Sequence, residues 1–338
     1  MSIDVHGTGA MGRIMLDGMS DINGFGAGQF EPNVSGGRFQ KTLKSAIHCS
    51  GVGLHSGEKI AMSLHPSAVD TGIVFRRTDG AAKGEIIPAR FDRVRDTRLC
   101  TALASDNGAM VGTVEHLMAA LAGCEIDNAV IELDGPEVPI MDGSSEPFVF
   151  LIECAGVEEQ AAPRRAIRVL REVSVSEGSG QVSLSPADSF SIGLSIDFSS
   201  KAIGRQELFL NLSGDAFRND IAKARTFGFL HEVEALRQMG LARGGSLDNA
   251  VVISGDRIMN EGGLRFEDEF VRHKVLDCVG DLYLAGGPLL AHYRGRRPGH
   301  ALHNALLRAL FADKANYEIV ALDTVGAASS YLRHAVAV

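Results

Sequence analysis

Residues 272–282 of the chain, RHKVLDCVGDL, carry a pattern that predicts an amphipathic helix. His273, Asp277 and Asp281 follow one another at intervals of one helical turn, so they share one face. The opposite face is apolar and consists of Val271, Val275, Cys278, Val279 and Leu282. A histidine and a carboxylate one turn apart can chelate a metal ion, but a solvated face with a His–Asp contact explains the spacing nearly as well. Gly280 slightly favours the first interpretation, because it leaves room for something to approach the polar face closely.

A second helix is predicted over residues 113–123, TVEHLMAALAG, with Thr113 as its N-cap and Gly123 at its end. Its apolar residues recur at helical spacing and are Val114, Leu117, Met118, Leu121 and Ala122. Glu115 and His116 lie outside this stripe. A metal ligand beside a carboxylate that can reach an attacking water is what a metallohydrolase requires. Taken alone, however, an acidic residue and a histidine at the exposed start of a helix are the more ordinary interpretation.

Two further segments contain groups that could take part in the same chemistry. His300 follows Gly299 after the basic cluster Arg294, Arg296 and Arg297. Thr226 lies in the apolar and aromatic segment 224–229, ARTFGF. Each has a structural explanation that is favoured in isolation, a solvent-facing histidine and a buried hydroxyl. The four segments together supply ligands, a base, a spare histidine and a hydroxyl, but composition does not show that they meet in space.

The pattern of the rest of the chain predicts an α+β fold. Short runs in the first half have strand character, namely Lys59–Leu64, Thr71–Arg76, Ala109–Val111 and Asn128–Leu133. The second half repeats the plan with strands across 166–212, a helix within 214–240, a strand, and a long helix near 267–285. Residues 127–131, DNAVI, are echoed by residues 248–252, DNAVV, which suggests a duplication. We therefore predict two similar domains, each a β-sheet packed with helices.

The domain limits follow from composition. Residues 1–37 are rich in glycine and lack a sustained period, so we predict a flexible extension that catalysis does not require. The stretch AAPRR at 161–165 is interpreted as a linker. The predicted domains therefore cover residues 38–163 and residues 164–338.

Charge and cysteine content narrow the classes of function. The 338 residues include 33 Lys plus Arg against 42 Asp plus Glu, a net charge of −9 that argues against a nucleic-acid partner. The 5 cysteines are scattered without a CxxC pair, which favours free thiols in a reducing compartment. No apolar run is long enough to cross a membrane, and no secretory signal is evident. We expect a cytoplasmic protein.

The ordered motifs of the chain resemble one known family, the UDP-3-O-acyl-N-acetylglucosamine deacetylases of lipid A synthesis. The matching segments are VEHLMAAL at 114–121, RTFGF at 225–229, GGSLDNA at 244–250, HKVLDCVGD at 273–281, GH at 299–300, GVGLHSG at 51–57 and PIMDGS at 139–144. The resemblance covers roughly residues 38–338. It implies an active site at the interface of the two domains.

The resemblance implies a zinc site with three protein ligands, His116, His273 and Asp277, which iron(II) could also occupy. Glu115 would be the general base that takes a proton from the attacking water. The reaction would be hydrolysis of the N-acetyl group of the acylated UDP-sugar, releasing acetate and UDP-3-O-acyl-glucosamine. This is the committed step of lipid A synthesis.

The same resemblance implies roles for four residues near the metal. Thr226 would stabilise the oxyanion, and His300 would protonate the departing amine. Asp281 would orient His300 and raise its pKa, while Lys274 would contact the substrate. Asp281 would therefore not be a metal ligand, although its helical spacing alone would allow it.

Recognition of the acyl chain is implied for Cys100, Phe198 and Phe227, in part with Thr226 and Lys274. For the arginines at 294, 296 and 297 three roles remain open: diphosphate binding, peripheral contact with the inner membrane, and simple solvation, which is favoured. The partner would be the small-molecule substrate, and the chain would be a monomer. The alternatives are a zinc amidohydrolase for another N-acylated amine and a non-catalytic carbohydrate- or nucleotide-binding protein. The latter predicts loss of a metal or base residue, which this sequence does not show.

Overall fold

The computed structural model describes residues 38–322 of the chain. The predicted flexible extension at residues 1–37 and the last residues of the predicted second domain lie outside the described part. Within the described part, no helix combines the length and the apolar character that a membrane crossing requires.

The described residues form helices and several sheets, which confirms the predicted α+β class. The strands of the first half are β1 Phe39–Leu43, β2 Ile47–Val52, β3 Lys59–Pro66, β4 Ile73–Arg77, β5 Ile86–Pro88, β6 Val94–Asp96, β7 Ala102–Ala104, β8 Met110–Val111, β9 Ala129–Leu133 and β10 Val157–Pro163. Those of the second half are β11 Arg165–Val169, β12 Val173–Glu177, β13 Gly180–Pro186, β14 Ser191–Asp197, β15 Arg205–Asn211, β16 Phe227–Phe229, β17 Val251–Ser254, β18 Arg257–Ile258, β19 Leu289–Arg296 and β20 Tyr317–Ala321. The α-helices are α1 Glu115–Gly123, α2 Glu146–Ala155, α3 Gly214–Ala216, α4 Leu230–Gln238, α5 Glu269–Tyr283 and α6 His300–Ala312.

The first half is built on a five-stranded sheet in the order β2-β3-β9-β4-β5. Only the β4–β9 pair is parallel, and the other neighbours are antiparallel. Alternate side chains of β3 point into the core, where Ile60, Met62 and Leu64 are fully buried. The strands β1 and β10 form a separate antiparallel pair.

The second half has the same topology. Its strands run in the order β12-β13-β19-β14-β15, again with one parallel pair, β14–β19, among antiparallel neighbours. The antiparallel pair β11–β20 corresponds to β1–β10, but β11 also pairs in parallel with β19, which joins these seven strands in one sheet. Helix α2 packs on β2 as α6 packs on β12. The two halves are therefore similar sheet-and-helix units, as predicted, and α1 corresponds to α5.

The sequence echo that suggested a duplication is not part of this repeat. DNAVI leads into β9, whose counterpart in the second half is β19, whereas DNAVV leads into β17. Strand β17 belongs to a small sheet with β16 and β18, inserted before α5. The equivalent insertion before α1 is the small sheet β6-β7-β8. The repeat is thus preserved in topology, and the five-residue match is coincidental.

Two local predictions were wrong. The supposed linker at 161–165 is almost entirely strand, because β10 ends at Pro163 and β11 begins at Arg165, with the buried Arg164 between them. Helical structure in 214–240 is interrupted, since α3 passes into a π-helical turn at Phe217–Ile221 and α4 begins only after β16. The boundary between domains at residues 163 and 164 stays a prediction.

Candidate metal centre

The site is formed where α1 and α5, the equivalent helices of the two halves, pack against each other. Gly280 makes this packing close, because a Cβ atom there would lie 1.9 Å from the backbone oxygen of Glu115. Any other residue at position 280 would push the helices apart. The backbone of α1 thus occupies the space that a side chain at position 280 would fill. The close contact brings His116 next to the polar face of α5.

His116, His273 and Asp277 form a buried cluster whose ligand atoms all lie within 4.8 Å of one another. The Oδ1 atom of Asp277 lies 3.3 Å from Nε2 of His273 and 3.6 Å from Nε2 of His116. Among the described residues, this buried Oδ1 atom has no hydrogen-bond partner. A buried carboxylate oxygen without a donor is costly unless a cation completes its environment. Two nitrogens and one oxygen converging on one point suit a divalent transition metal.

Neighbouring groups hold these side chains in a state suited to binding a cation. Nδ1 of His273 lies 3.0 Å from the backbone oxygen of Ala224, to which it donates, so that Nε2 is left for a metal. Burial lowers the pKa of His273 to about 4 despite the charge of Asp277, so its ring is neutral. Lys274 Nζ donates to Oδ2 of Asp277 at 2.8 Å. Burial raises the pKa of Asp277, but the neighbouring positive charges, including that of Lys274, hold it well below its usual range.

Glu115 is buried beside the cluster at the first residue of α1. The backbone N–H of Thr101 donates to its Oε2 at 3.0 Å, and Oε1 lies 3.7 Å from Nε2 of His300. Burial raises the pKa of Glu115, an effect that the charge of His300 opposes. A carboxylate with a raised pKa, fixed at one oxygen by Thr101 and facing His300 with the other, is suited to accept a proton.

Thr113 does not cap α1, contrary to the prediction. The helix begins at Glu115 after Val114, and no side chain caps it. Thr113 instead adopts a left-handed backbone with φ of 53°, which a β-branched residue rarely does. Its hydroxyl is buried without a hydrogen-bond partner among the described residues. The chain is therefore strained directly before the Glu115–His116 pair, as is common at functional sites.

Asp281 lies one turn beyond Asp277 on α5, and its carboxylate faces three donors. The Thr101 hydroxyl donates to Oδ1 at 2.5 Å, while the Nδ1 atoms of His300 and His303 each lie 2.7 Å from Oδ2. Burial alone would lower the pKa of His300, but the charges of Asp281 and Glu115 raise it to about 9. His300 is therefore a cation at neutral pH. Asp281 contacts His300 and lies outside the group formed by His116, His273 and Asp277.

Thr226 lies in the sequence between Ala224 and Phe227, which are both next to His273. The backbone oxygen of Ala224 accepts the Nδ1 hydrogen of His273, and the ring centroids of Phe227 and His273 are 6.2 Å apart. The Thr226 backbone N–H donates to the oxygen of Gly143 at 2.8 Å. Gly143 has φ of 84°, and a Cβ atom there would lie 2.0 Å from the backbone oxygen of Asn249. The segments at 139–144, 225–229 and 244–250, which lie far apart in sequence, therefore meet at this position.

The three residues predicted for acyl recognition divide into two places. The rings of Phe198 and Phe227 are in contact, with centroids 5.8 Å apart, and Lys274 Nζ lies 5.6 Å above the Phe227 ring. Cys100 lies near Thr113 and Glu115. Burial raises the pKa of the Cys100 thiol to about 12, so it is an uncharged apolar group.

Comparison with known proteins agrees with this geometry. The family model described as UDP-3-O-acyl N-acetylglycosamine deacetylase matches residues 40–312. This chain belongs to that family. A deacetylase of this name from Acidithiobacillus ferrooxidans is 53% identical over 283 residues, which is 83% of this chain and 92% of the relative. Deacetylases of the same name from Shewanella oneidensis and Shewanella baltica are each 48% identical over 287 residues, which is 84% of this chain and 94% of each relative.

Three residues in the hydrogen-bond network around Asp281 were not predicted from the sequence. Thr101 donates hydrogen bonds to both Glu115 and Asp281, although the sequence around it does not indicate a functional residue. His303 lies one turn after His300 on α6, a spacing from which a shared face could have been inferred. Tyr293 comes from β19 and binds His303, a contact that only the tertiary structure reveals.

Proposed function

We propose that this chain hydrolyses the N-acetyl group of UDP-3-O-acyl-N-acetylglucosamine, releasing acetate and UDP-3-O-acyl-glucosamine, the committed step of lipid A synthesis. The observation that carries the proposal is the buried cluster of His116, His273 and Asp277 with Glu115 at its edge. Family membership and relatives named for this reaction support it. A zinc amidohydrolase for another N-acylated amine remains the alternative.

The metal in this proposal is zinc, and iron(II) fits the same ligands. His116, His273 and Asp277 would hold it, and the unpartnered Oδ1 of Asp277 supports that assignment. When bound, the ion supplies Lewis acidity that activates water at neutral pH and polarises the amide carbonyl. With three protein ligands, one position stays open for the reactants.

The protein groups then move the protons. Glu115 takes a proton from the attacking water through Oε1, the oxygen that Thr101 does not hold. The Thr226 hydroxyl donates to the carbonyl oxygen as negative charge develops, an interaction that contributes about 3 kcal/mol per donor in comparable sites. The His300 cation protonates the amine nitrogen as the C–N bond breaks, and Asp281 orients the ring for that transfer.

Substrate recognition in this proposal uses the aromatic pair beside the metal. Phe198 and Phe227 would pack against the 3-O-acyl chain, with the uncharged Cys100 as a further apolar contact. Lys274, whose ammonium group already binds Asp277, would contact the substrate next to the reacting amide. We further propose that the chain works in the cytoplasm as a monomer that makes peripheral contact with the inner membrane.

The substrate is tested by comparing turnover with and without the acyl chain. We expect kcat/KM for UDP-3-O-acyl-N-acetylglucosamine to exceed that for UDP-N-acetylglucosamine at least 100-fold, because burial of each methylene contributes about 0.8 kcal/mol. Acetate release from both compounds would be measured with one preparation of metal-loaded enzyme. Equal values for the two compounds would favour the alternative amidohydrolase.

The protonation state of His300 predicts a pH dependence. Since its pKa is raised to about 9, we expect kcat to stay constant at neutral pH and to fall as pH rises through about 9. Asp281→Asn removes a charge that raises this pKa, so the alkaline limb should move down by more than one unit. The measurement is kcat against pH for both proteins at equal metal content. An unchanged limb in Asp281→Asn would contradict the role given to His300.

A further inference from the structure

A second histidine binds the carboxylate that orients His300. His303 is 1% exposed, and its Nδ1 lies 2.7 Å from Oδ2 of Asp281, the same oxygen that His300 contacts at 2.7 Å. Its Nε2 lies 3.0 Å from the hydroxyl of Tyr293, which is fully buried on β19. Both ring nitrogens of this buried histidine therefore lie within hydrogen-bond distance of a partner, and it shares an acceptor with His300, the proposed proton donor. The mechanism above gives His303 no role.

The chemistry of the groups fixes the direction of each hydrogen bond. Burial raises the pKa of Asp281, but the charges and hydrogen bonds of His300 and His303 lower it below its usual range, so it is an acceptor. Both Nδ1 atoms must therefore donate to it. Burial raises the pKa of Tyr293, so its hydroxyl keeps its proton and can donate to Nε2 of His303. With Nδ1 donating to Asp281 and Nε2 facing the Tyr293 hydroxyl, both ring nitrogens of His303 have a partner.

These bonds also account for the compact arrangement of Asp281, His300 and His303. Their ligand atoms lie within 4.8 Å of one another, which is a spacing compatible with a metal ion. Here, however, both Nδ1 atoms share Oδ2 of Asp281, and Nε2 of His303 faces the Tyr293 hydroxyl. Hydrogen bonds within the protein therefore satisfy the group without an ion.

We propose that His303 and Tyr293 are positioning residues for the reaction, which hold the Asp281 carboxylate so that it aims His300 at the leaving group. This inference rests on the proposed function. Thr101 holds Oδ1, while His300 and His303 from α6 both hold Oδ2, so Asp281 is bound from two separate parts of the chain and its rotation is prevented. Without His303, Oδ2 would be held only by the His300 ring that it has to orient, so this ring could swing away from Glu115, and such misplacement lowers the rate.

The test compares His303→Leu, which removes the donor, with His303→Asn, whose amide nitrogen can occupy the place of Nδ1. We expect His303→Leu to lower kcat at least tenfold with KM and metal content unchanged, as for other outer-shell partners. His303→Asn should stay within about threefold of the wild type, because it keeps the bond to Asp281. Wild-type kcat in His303→Leu, or equal loss in both variants, would overturn the proposal.

A second measurement does not depend on activity. In protein carrying ¹⁵N-labelled histidine, we expect downfield Nδ1–H signals from both His300 and His303 in the wild type, and in His303→Leu the loss of the second signal with faster solvent exchange of the His300 proton. Tyr293→Phe, which keeps the packing, should speed that exchange and lower kcat about threefold. An unchanged His300 signal in both variants would overturn the inference. Absence of acetate release by the wild type would instead refute the proposed function.

Discussion

Glu115→Gln is expected to lower kcat by about 10²- to 10⁴-fold while the protein keeps its metal. The substitution preserves the size of the side chain and an oxygen that can accept the Thr101 N–H. It removes the group that takes the proton from the attacking water. Because Glu115 is not one of the three clustered ligand residues, metal binding should be unaffected. Acetate release and metal content of the purified protein check the two parts of this result.

Glu146→Gln is the matched control for this substitution. Glu146 also begins a helix, α2, but its side chain is half-exposed and pairs with Lys223. We expect its kcat to equal that of the wild type. If Glu115→Gln kept wild-type turnover, another group would have to accept the proton and the assignment of the base would be wrong.

His273→Ala is expected to weaken metal binding about 100-fold or more and to abolish turnover at limiting metal. Loss of an outer-shell partner already weakens metal affinity 10- to 100-fold, so loss of a direct ligand should cost at least as much. The metal should also cease to stabilise the variant, because ligand-linked stability depends on the ratio of metal concentration to Kd. Chelator competition and thermal unfolding with and without zinc measure both effects.

His231→Ala provides the comparison for this second substitution. His231 lies exposed on α4, away from the buried cluster, so its removal should change neither metal content nor the zinc-dependent shift in Tm. Wild-type metal affinity in His273→Ala would show that the cluster of His116, His273 and Asp277 is not the metal site.

The periodicity of apolar residues predicted which helices and strands this protein has better than it predicted where they end or what they pack against. The long helix near 267–285 was found as α5, and the runs at 59–64 and 71–76 were found as β3 and β4. The cap at Thr113 was wrong because Thr113 has a left-handed backbone and the helix begins two residues later, at Glu115. The linker at 161–165 was misread because Pro and Arg at the ends of two strands give the same local signal as a loop.

The duplication illustrates the same limit at the level of topology. The order of the five central strands is the same in both halves, yet the short sequence echo falls on strands that are not equivalent. Strand pairing depends on burial and backbone hydrogen bonds, which many sequences satisfy, so topology can persist after sequence similarity has disappeared.

By itself the sequence determined that His273, Asp277 and Asp281 share one helical face, and its ordered motifs identified the family. The resemblance already implied different roles for Asp277 and Asp281, and the tertiary structure shows the contacts that separate the two carboxylates. Gly280 sets the depth at which α1 meets α5, which brings His116 beside Asp277, while α6 brings His300 and His303 to Asp281. The physical reason is that helical periodicity fixes the direction of a side chain from its own axis. The groups that it meets are set by the packing of other helices, which local sequence does not encode.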